Sequence, residues 1–223
     1  AIITDENINY LYGTKLNIYL SKPNSILEIL TIPSGEKGKD QKHVTYIQNK
    51  LFSNNFDSDS LIIAIGGGAI SDISSFISST FLRGIDHIII PTTLLSMIDA
   101  SIGGKTAINN SFGKNLIGTI YHPKHVIIDI DFLSSLKSNE YRFAFSEIIK
   151  HSLILDEGMF LDLRINFEKY FKKDQDLLED LIYKNIILKT KTVTSNTKDI
   201  RHILNFGHTI AHGLEKISNF QIP

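Results

Sequence analysis

The sequence has 223 residues, of which 42% are hydrophobic and 21% charged, proportions typical of a globular protein. The formal net charge of -1 gives no excess of basic residues that would favour nucleic acid as a partner. Because there is no cysteine, any metal must be held by histidine, carboxylate or water. No apolar run approaches the ~20 residues needed to span a bilayer, and no signal peptide is visible. We therefore expect neither a membrane nor a nucleic-acid partner.

The first half of the chain alternates short apolar runs with amphipathic segments. The opening AIITDENINYLY predicts a strand and a turn, and SDISSFISSTFLRG and QKHVTYIQNKLFSNN repeat apolar residues at helical spacing. Short β-branched runs bounded by turn residues are typical of buried parallel strands. These runs are AIIT, ILEILTIP, SLIIAIG, HIIIPTT and HVIIDID. The alternation predicts an α/β fold with an open, mostly parallel, Rossmann-like sheet that binds ligands at the carboxyl ends of its strands.

The second half of the chain predicts helices without strands. The segments EYRFAFSEIIKHSLIL, EGMFLDLRINFEKYFKK and DLLEDLIYKNIILKTKTV all repeat apolar residues at helical spacing. We place the boundary after residue 137, which gives an α/β domain over 1–137 and an all-helical domain over 138–223. Both ends of the sequence look cut, so we expect the helical domain to be truncated.

Three consecutive glycines, Gly66, Gly67 and Gly68, follow a predicted strand and precede a predicted helix. Such a turn lets backbone N–H groups approach a phosphate at the helix N-terminus. A tight strand–helix turn without a ligand explains the glycines equally well. The dinucleotide-binding pattern is also imperfect, because Ser71 stands where glycine or alanine is expected.

The segment DASIGGKTAINNSFGKN is rich in glycine and contains Asp99, Lys105, Lys114 and Asn115. A P-loop that binds a nucleoside triphosphate is excluded, because Asp99 stands where that motif requires its first glycine. The two lysines suit an anionic ligand and the aspartate suits a hydroxyl group. A solvated loop without a ligand is the alternative.

Two segments of the second half carry residues that can bind zinc. SEIIKH places Glu147 and Lys150 on one helix face, and LNFGHTIAHGLE places His208 and His212 four residues apart. Glutamate and histidine are suitable zinc ligands, although Glu147 and Lys150 could form an ordinary helical ion pair. Upstream of the histidines, cationic and amide side chains suggest a substrate with a carboxylate or phosphate: Lys189, Arg201 and Asn205.

Five segments, in order and at matching spacing, resemble the 3-dehydroquinate synthase family: PSGEKGK, GGGAISD, RGIDHIIIPTTLLSMIDASIGGKTAINNSFGKNLIG, SEIIKH and LNFGHTIAHGLE. The resemblance implies a cytoplasmic, usually homodimeric phosphorus–oxygen lyase of the shikimate pathway. It implies dependence on NAD, bound by the α/β domain, and on Zn²⁺, bound with the substrate by the helical domain. Co²⁺ is the implied substitute for zinc. The implied substrate is a sugar phosphate, 3-deoxy-D-arabino-heptulosonate 7-phosphate, which is converted to 3-dehydroquinate and phosphate. The implied steps are transient oxidation by NAD, phosphate elimination, reduction, ring opening and aldol cyclisation.

The resemblance also implies roles for individual residues. Glu147 and His208 match zinc ligands, and the third ligand would fall at position 224, beyond Pro223. His212 matches a residue of the substrate pocket, Asp99 lies near the reacting hydroxyl, and Arg83 reaches the neighbouring subunit. The substrate-contacting positions are Lys105, Asn115, Lys150, Lys189, Arg201 and Asn205. The cofactor-contacting positions are Asp5, Asn7, Ser34, Gly35, Glu36, Lys37, Gly38, Lys39, Gly67, Gly68, Ala69, Ile70, Ser71, Asp72, Thr92, Thr93, Lys105, Lys114, Phe132, Leu133, Ser134 and Ser135.

The segment TSNTKDIR is about two residues shorter than the matching segment of the family and has fewer acidic residues. Because of this shorter length, two lysines are candidates for the same substrate-contacting position, Lys189 and its alternative Lys191. Two other functions stay open: a sister sugar-phosphate cyclase or polyol dehydrogenase, and an inactive cofactor-binding remnant. The set of Lys189, Arg201 and Asn205 suits a substrate with a carboxylate, which favours 3-dehydroquinate synthase activity over that of a sister cyclase.

Overall fold

The chain divides into two units, Ala1–Leu136 and Lys137–Pro223. The computed structural model describes residues 1–23, 25–195 and 203–217. The division lies one residue before the predicted boundary, and the ligand-binding roles assigned to the two domains stay predictions. Within the described ranges, no helix has the length and apolar character that a bilayer span requires.

A five-stranded sheet forms the centre of the first unit, and all its strands are parallel. The strand order is β2-β1-β3-β4-β7, with β1 between β2 and β3. This arrangement confirms the predicted open parallel sheet. The strands of the sheet are β1 (Ile2–Asp5), β2 (Ile29–Ile32), β3 (Leu61–Gly66), β4 (Asp86–Pro91) and β7 (His125–Val126).

Apolar side chains cover both faces of this sheet, as a parallel sheet requires. On one face, Ile3, Ile62 and Ala64 pack in the main core with residues of helices α2 (Gln41–Ser53) and α3 (Gly68–Thr80). On the other face, alternate residues such as Ile2 and Ile65 pack with residues of helix α1 (Glu6–Leu20). The alternation follows from the opposite directions of successive side chains along a strand.

Helix α1 (Glu6–Leu20) replaces the turn that we expected after the first strand, so that expectation was wrong. Asp5 caps the helix, since its side chain accepts hydrogen bonds from the N–H groups of Asn7 and Ile8. The helix has a weak apolar pattern, with Tyr10 88% exposed and Tyr19 77% exposed. This pattern is why the sequence did not indicate a helix here.

The final part of the first unit is less regular than predicted. The expected strand HVIIDID forms only the two residues of β7, followed by a 3-10 helix over Ile130–Ser134. The segment between β4 and β7 holds a π-helix over Ser96–Ala100 and an antiparallel hairpin of β5 (Ile108–Asn110) and β6 (Gly113–Ile117). The sequence did not indicate this hairpin.

The second unit is helical throughout its described residues, as predicted. The helices are α4 (Ser138–Leu155), α5 (Glu157–Phe171), α6 (Gln175–Thr194) and α7 (His208–Ile217). Tyr141 and Phe145 of α4 pack against Tyr170 and Phe171 of α5 with ring centroids 4.9 to 6.4 Å apart. Asp156 ends α4 and caps α5 by accepting from the N–H of Met159.

His87 in β4 is a fully buried histidine, with 0% of its surface exposed. Its Nε2 atom lies 2.9 Å from Ser75 Oγ, and its ring stacks on Tyr121 with centroids 5.5 Å apart. Its Nδ1 atom has no hydrogen-bond partner in the described part of the chain. Burial lowers the pKa of His87 to about 4, and nearby Asp86 opposes the shift only weakly.

We expect His87 to make the fold less stable as the pH falls from about 6.5 towards 4. In this range the unfolded chain binds a proton that the folded chain excludes, which costs up to about 3 kcal/mol. Replacing His87 with Gln should flatten this part of the pH dependence of the free energy of unfolding, measured by urea denaturation at several pH values. The control is His125→Gln, because His125 is exposed. An unchanged pH dependence in the His87 variant would contradict the lowered pKa of His87 in the folded chain.

Candidate functional site

Asp5 lies at the carboxyl end of β1 and joins two of the predicted cofactor segments. Its Oδ1 atom accepts from the N–H of Asn7 at 2.9 Å and of Ile8 at 3.1 Å. The same atom accepts from Ser34 Oγ at 3.1 Å, at the start of the 3-10 turn Gly35–Gly38. One buried carboxylate oxygen therefore holds the first turn of α1 and the Ser34–Lys39 segment together.

The glycine turn brings helix α3 against the end of β3. A Cβ atom on Gly66 would lie 2.6 Å from Ile70 Cγ1, and one on Gly67 would lie 3.0 Å from Thr93 Cγ2. Gly67 is the N-cap of α3, and no side chain caps the helix there. The free N–H groups of the first turn and the helix dipole make this end of α3 suited to a phosphate group.

Several predicted cofactor contacts near the glycine turn direct their side chains into the protein. Ile70 is 2% exposed and belongs to the main core, and the buried Ser71 Oγ lies 3.1 Å from Ser96 Oγ. Thr92 is buried after β4 and its N–H donates to Gly66 O at 2.9 Å. These residues, with Ala69 and Thr93, shape the turn, so a ligand here would meet mostly backbone.

The loop that follows β2 holds a buried lysine. Lys39 is 2% exposed, and its ammonium group contacts the carboxylate of Asp72 in α3 and Asn115 Oδ1 in β6. Lys37 and Glu36 in the same loop are exposed. Three predicted ligand contacts from three elements thus meet at Lys39.

The glycine-rich segment after β4 contains the remaining predicted residues of that region. Asp99 is half-buried in the π-helix, Lys105 is exposed and Lys114 is half-buried in β6. Gly104 has φ +69 and lies so close to the His122 ring that a Cβ would be 2.7 Å from Nδ1. The N–H of Tyr121 donates to Gly104 O at 2.7 Å. These contacts fix the backbone conformation of Gly104, next to Lys105.

Arg83 lies in a strained, exposed turn after α3. Its φ is 70 and that of Leu82 is 49, so two consecutive non-glycine residues are left-handed. Such conformations are uncommon and cost energy, and they often occur at functional positions. Leu82 is 42% exposed and Arg83 is also exposed.

The segment Phe132–Ser135 is held by helix α1. The rings of Tyr12 and Phe132 meet edge to face with centroids 5.1 Å apart, and Tyr12 OH donates to Ser135 Oγ at 3.0 Å. Leu133 is 1% exposed, whereas Ser134 is exposed. Only part of this predicted cofactor segment is therefore available to a ligand.

In the second unit, Glu147 is a mostly buried carboxylate on α4 beside two basic side chains. Lys150 Nζ and His151 Nε2 both lie against its Oε1 atom, the histidine at 3.2 Å. Burial alone would raise the pKa of Glu147, but His151 and Lys150 lower it to about 2. Lys150 Nζ also donates to Leu204 O at 2.7 Å. The carboxylate is therefore ionised at any ordinary pH, as a metal ligand must be.

Sequence reasoning missed His151 and Asn185, which are both fully buried. Asn185 Nδ2 donates to Leu181 O at 2.9 Å, so its Oδ1 atom faces His151 Nδ1 at 3.1 Å. His151 Nδ1 must therefore carry a proton, and Nε2 lies 3.2 Å from Glu147 Oε1. The spacing of Glu147 and His151, four residues on one helix, was the available signal.

The other predicted residues of the second unit lie on α6 and around α7. Lys189 is 8% exposed, whereas its alternative Lys191 is exposed. Asn205 is exposed in the turn before α7, and His208 begins that helix one turn before His212. Arg201 lies outside the described residues. The roles of all these residues stay predictions.

Two family models match consecutive parts of the chain. The model described as 3-dehydroquinate synthase N-terminal matches residues 29–143, and the model described as 3-dehydroquinate synthase C-terminal matches residues 144–223. The 3-dehydroquinate synthase of Sulfurisphaera tokodaii is 41% identical over 226 residues, which cover 99% of this chain and 64% of that protein. The chain thus spans just under two thirds of the length of this relative.

Solved structures of related cyclases resemble the whole chain. ValA, a 2-epi-5-epi-valiolone synthase from Streptomyces hygroscopicus with NAD⁺ and Zn²⁺ bound, has a TM-score of 0.92 and 25% identity, and the match covers 100% of this chain and 63% of ValA. A 2-deoxy-scyllo-inosose synthase complexed with carbaglucose-6-phosphate, NAD⁺ and Co²⁺ has a TM-score of 0.83 and 27% identity, covering 100% of this chain and 62% of that one.

Replacing Gly66 with Ala should destabilise the first unit by about 1–3 kcal/mol, because the new Cβ would overlap the branched part of Ile70 at the start of α3. The measurement is the midpoint of urea denaturation. Gly213→Ala in α7 is the control, since a Cβ there meets nothing within 4 Å. Equal stability of the Gly66 variant and the unchanged chain would show that the contact between β3 and α3 is looser than described.

Proposed function

The chain belongs to the 3-dehydroquinate synthase family, and from this premise we propose that its protein converts 3-deoxy-D-arabino-heptulosonate 7-phosphate to 3-dehydroquinate and phosphate. The observation that carries the proposal is the uninterrupted match of residues 29–223 to both halves of this family. The reaction would be a phosphorus–oxygen lyase reaction with transient oxidation, phosphate elimination, reduction and aldol closure.

We propose NAD as the cofactor of the first unit. The uncapped N-terminus of α3 at Gly67 and Gly68 supports this assignment, because its N–H groups suit the pyrophosphate. The turn is formed at the carboxyl edge of the parallel sheet, where open α/β sheets bind ligands. ValA and 2-deoxy-scyllo-inosose synthase, two structurally similar cyclases, have NAD⁺ bound.

We propose that Glu147 and His208 hold a Zn²⁺ ion, with Co²⁺ as a substitute. The donor set at Glu147 fits a cation: among the described residues both basic neighbours use Oε1, which leaves Oε2 for the metal. When bound, Zn²⁺ would supply a Lewis acid that lowers the pKa of a coordinated hydroxyl group.

The contribution of the chain's own side chains would be to neutralise and orient an anionic substrate. The ammonium group of Lys150 has three N–H donors, of which Glu147 and Leu204 take two, and the third can meet a substrate oxygen. The exposed Lys105 can move to meet a carboxylate or phosphate. Asp99 would face the reacting hydroxyl. The proposed substrate set is completed by Asn115, Lys189, Arg201, Asn205 and His212. Positioning of this kind accounts for much of the rate in such reactions.

The homodimer and the cytoplasmic location are further parts of the proposal. The exposed, left-handed turn at Leu82 and Arg83 supports a contact with a second subunit, because it directs a charged side chain away from its own unit's core. A dimer would bring Arg83 to the substrate of its neighbour.

A sister sugar-phosphate cyclase is the second candidate, because the similar solved structures are a valiolone and an inosose synthase. Their identity of 25–27% is well below the 41% shared with a 3-dehydroquinate synthase. The product separates the candidates, since only 3-dehydroquinate carries a carboxylate among these carbocycles.

We expect the protein at its full natural length to release phosphate from the heptulosonate phosphate only when both NAD and a divalent metal are present. The measurement is a phosphate-release assay with and without NAD and a chelator, with the carbocyclic product identified by mass spectrometry. Release of phosphate with formation of 3-dehydroquinate supports the proposal. A protein loaded with zinc and NAD that gives no product refutes it and favours a sister cyclase or an inactive remnant.

Replacing Glu147 with Gln should lower the affinity for Zn²⁺ by about 100-fold or more, because a neutral amide is a poor zinc ligand. Bound zinc is counted by elemental analysis after dialysis, and the affinity by titration with a chromophoric chelator. Glu140→Gln is the matched control, since Glu140 is exposed in the first turn of the same helix. A Glu147 variant that keeps its full zinc content would remove Glu147 from the metal site.

A further inference from the structure

The segment that carries Asp99 is a π-helix over Ser96–Ala100, a form in which a carbonyl accepts from an N–H five residues later. Such turns are rare and often lie at functional sites. The Ser101 N–H donates to Ser96 O at 3.1 Å, and Ser101 Oγ donates to the same carbonyl at 2.7 Å. Ser101 is buried. Two donors from one buried residue therefore close the turn around Asp99.

The side chain of Ser96 joins this π-helix to helix α3. Ser96 is fully buried, and its Oγ atom lies 3.1 Å from Oγ of Ser71, which is 2% exposed. Ser71 Oγ donates to Gly67 O at 3.2 Å. A hydroxyl group has one proton, so Ser71 must accept from Ser96. The hydrogen bonds therefore run from Ser96 through Ser71 to the carbonyl of the glycine that caps α3.

Close packing holds the π-helix at the glycine turn in a second place. A Cβ atom on Gly68 would lie 3.1 Å from Ala100 Cβ, so the two backbones approach closely. At the other end of the π-helix, the N–H of Ser96 donates to Thr93 Oγ1 at 3.2 Å. Residues on both sides of Asp99 are therefore held in place, and the turn that holds them is the one proposed to bind the cofactor.

Charge acts against this arrangement, because Asp99 lies near another carboxylate. Burial raises the pKa of Asp72 against the opposing charge of Lys39, and the negative charge of Asp99 adds to the rise. Like charges repel, so Asp72 and Asp99 favour separation of α3 from the π-helix. Ser71 and Ser96 join the same two elements by a neutral hydrogen bond. This bond opposes the separation and keeps Asp99 near the first turn of α3.

Ser71 is also the residue that departs from the dinucleotide-binding pattern, in which glycine or alanine is expected. Neither of those residues has a hydroxyl group, so neither could accept a hydrogen bond from Ser96. The contact between the two serines thus gives a physical reason for the serine at this position of the chain.

We propose that Ser71 and Ser96 are positioning residues that hold Asp99 in the orientation in which it meets the reacting hydroxyl group. The proposal rests on the proposed function for the role of Asp99. The bond between the two serines exists in the chain without ligands, so the π-helix is held before cofactor and substrate bind. Because the serines act through Asp99, their loss should lower the rate of the reaction more than the affinity for either ligand.

The first test is hydrogen exchange of the amides of residues 97–102, in the protein at its full natural length and without ligands. Ser71→Ala should speed this exchange about tenfold, because Ser96 Oγ loses its acceptor at a buried position. Ser78→Ala is the matched control, since Ser78 is also buried in α3 and its Oγ donates within that helix, to Ser74 O at 2.8 Å. Equal exchange in the Ser71 and Ser78 variants overturns the proposal.

A double-mutant cycle separates one shared hydrogen bond from two independent effects. Ser96→Ala should speed the exchange about threefold, less than Ser71→Ala, because Ser71 still donates to Gly67 O. The double variant should resemble Ser96→Ala. Effects that multiply in the double variant would show that the two hydroxyl groups act separately, which overturns the proposal. If Ser71→Ala does not fold, Ser96→Ala carries the test, and exchange like that of the unchanged protein has the same consequence.

Kinetics separate positioning of Asp99 from binding of the cofactor. Ser71→Ala should lower kcat about tenfold, while the KM for the sugar phosphate and the Kd for NAD change by less than about threefold. A weaker Kd for NAD with an unchanged kcat would make Ser71 a cofactor contact alone and overturns the proposal. If exchange changes as expected but the unchanged protein does not turn over the sugar phosphate, the proposed function fails and the hold on the π-helix stands.

Discussion

Burial of both faces of the parallel sheet is the constraint on which the first unit depends. Parallel strands need crossover connections, which are usually helices, so all strands begin at one edge of the sheet and end at the opposite edge. The strands β1, β3 and β4 therefore end side by side at Asp5, Gly66 and Pro91. Segments that are tens of residues apart in the sequence deliver their loops to one edge, and the proposed cofactor residues lie in these loops.

The polar contacts at this edge explain why the loops can be irregular and still well defined. Ser34 donates to Asp5, and Lys39 joins Asp72 to Asn115. Asp5 and Lys39 are buried and costly to leave unpaired, so their contacts favour one loop conformation over others. These side-chain contacts preorganise the edge, and this reduces the entropy that binding must overcome.

The sequence predicted the parts of the fold in which burial leaves a periodic pattern. Strands β1 to β4 and helices α2 to α6 follow from apolar runs and helical spacing. Helix α1 was missed because Tyr10 and Tyr19 are exposed, and the hairpin was missed because β6 is largely exposed. The resemblance identified Lys39 and Asn115, but not their contact, which joins residues 76 positions apart. Contacts of that range depend on the tertiary fold and leave no local pattern.

Glu147 illustrates how far the chemistry of a residue depends on its neighbours. By itself, burial would favour the neutral acid, which is a poor metal ligand. Lys150 and His151 reverse this preference and hold the pKa at about 2. Both act on Oε1, so they stabilise the charge without covering Oε2. The hydrogen bond from His151 Nδ1 to Asn185 orients the ring so that Nε2 lies against the carboxylate. The helix thus presents an ionised, oriented oxygen before any cation binds.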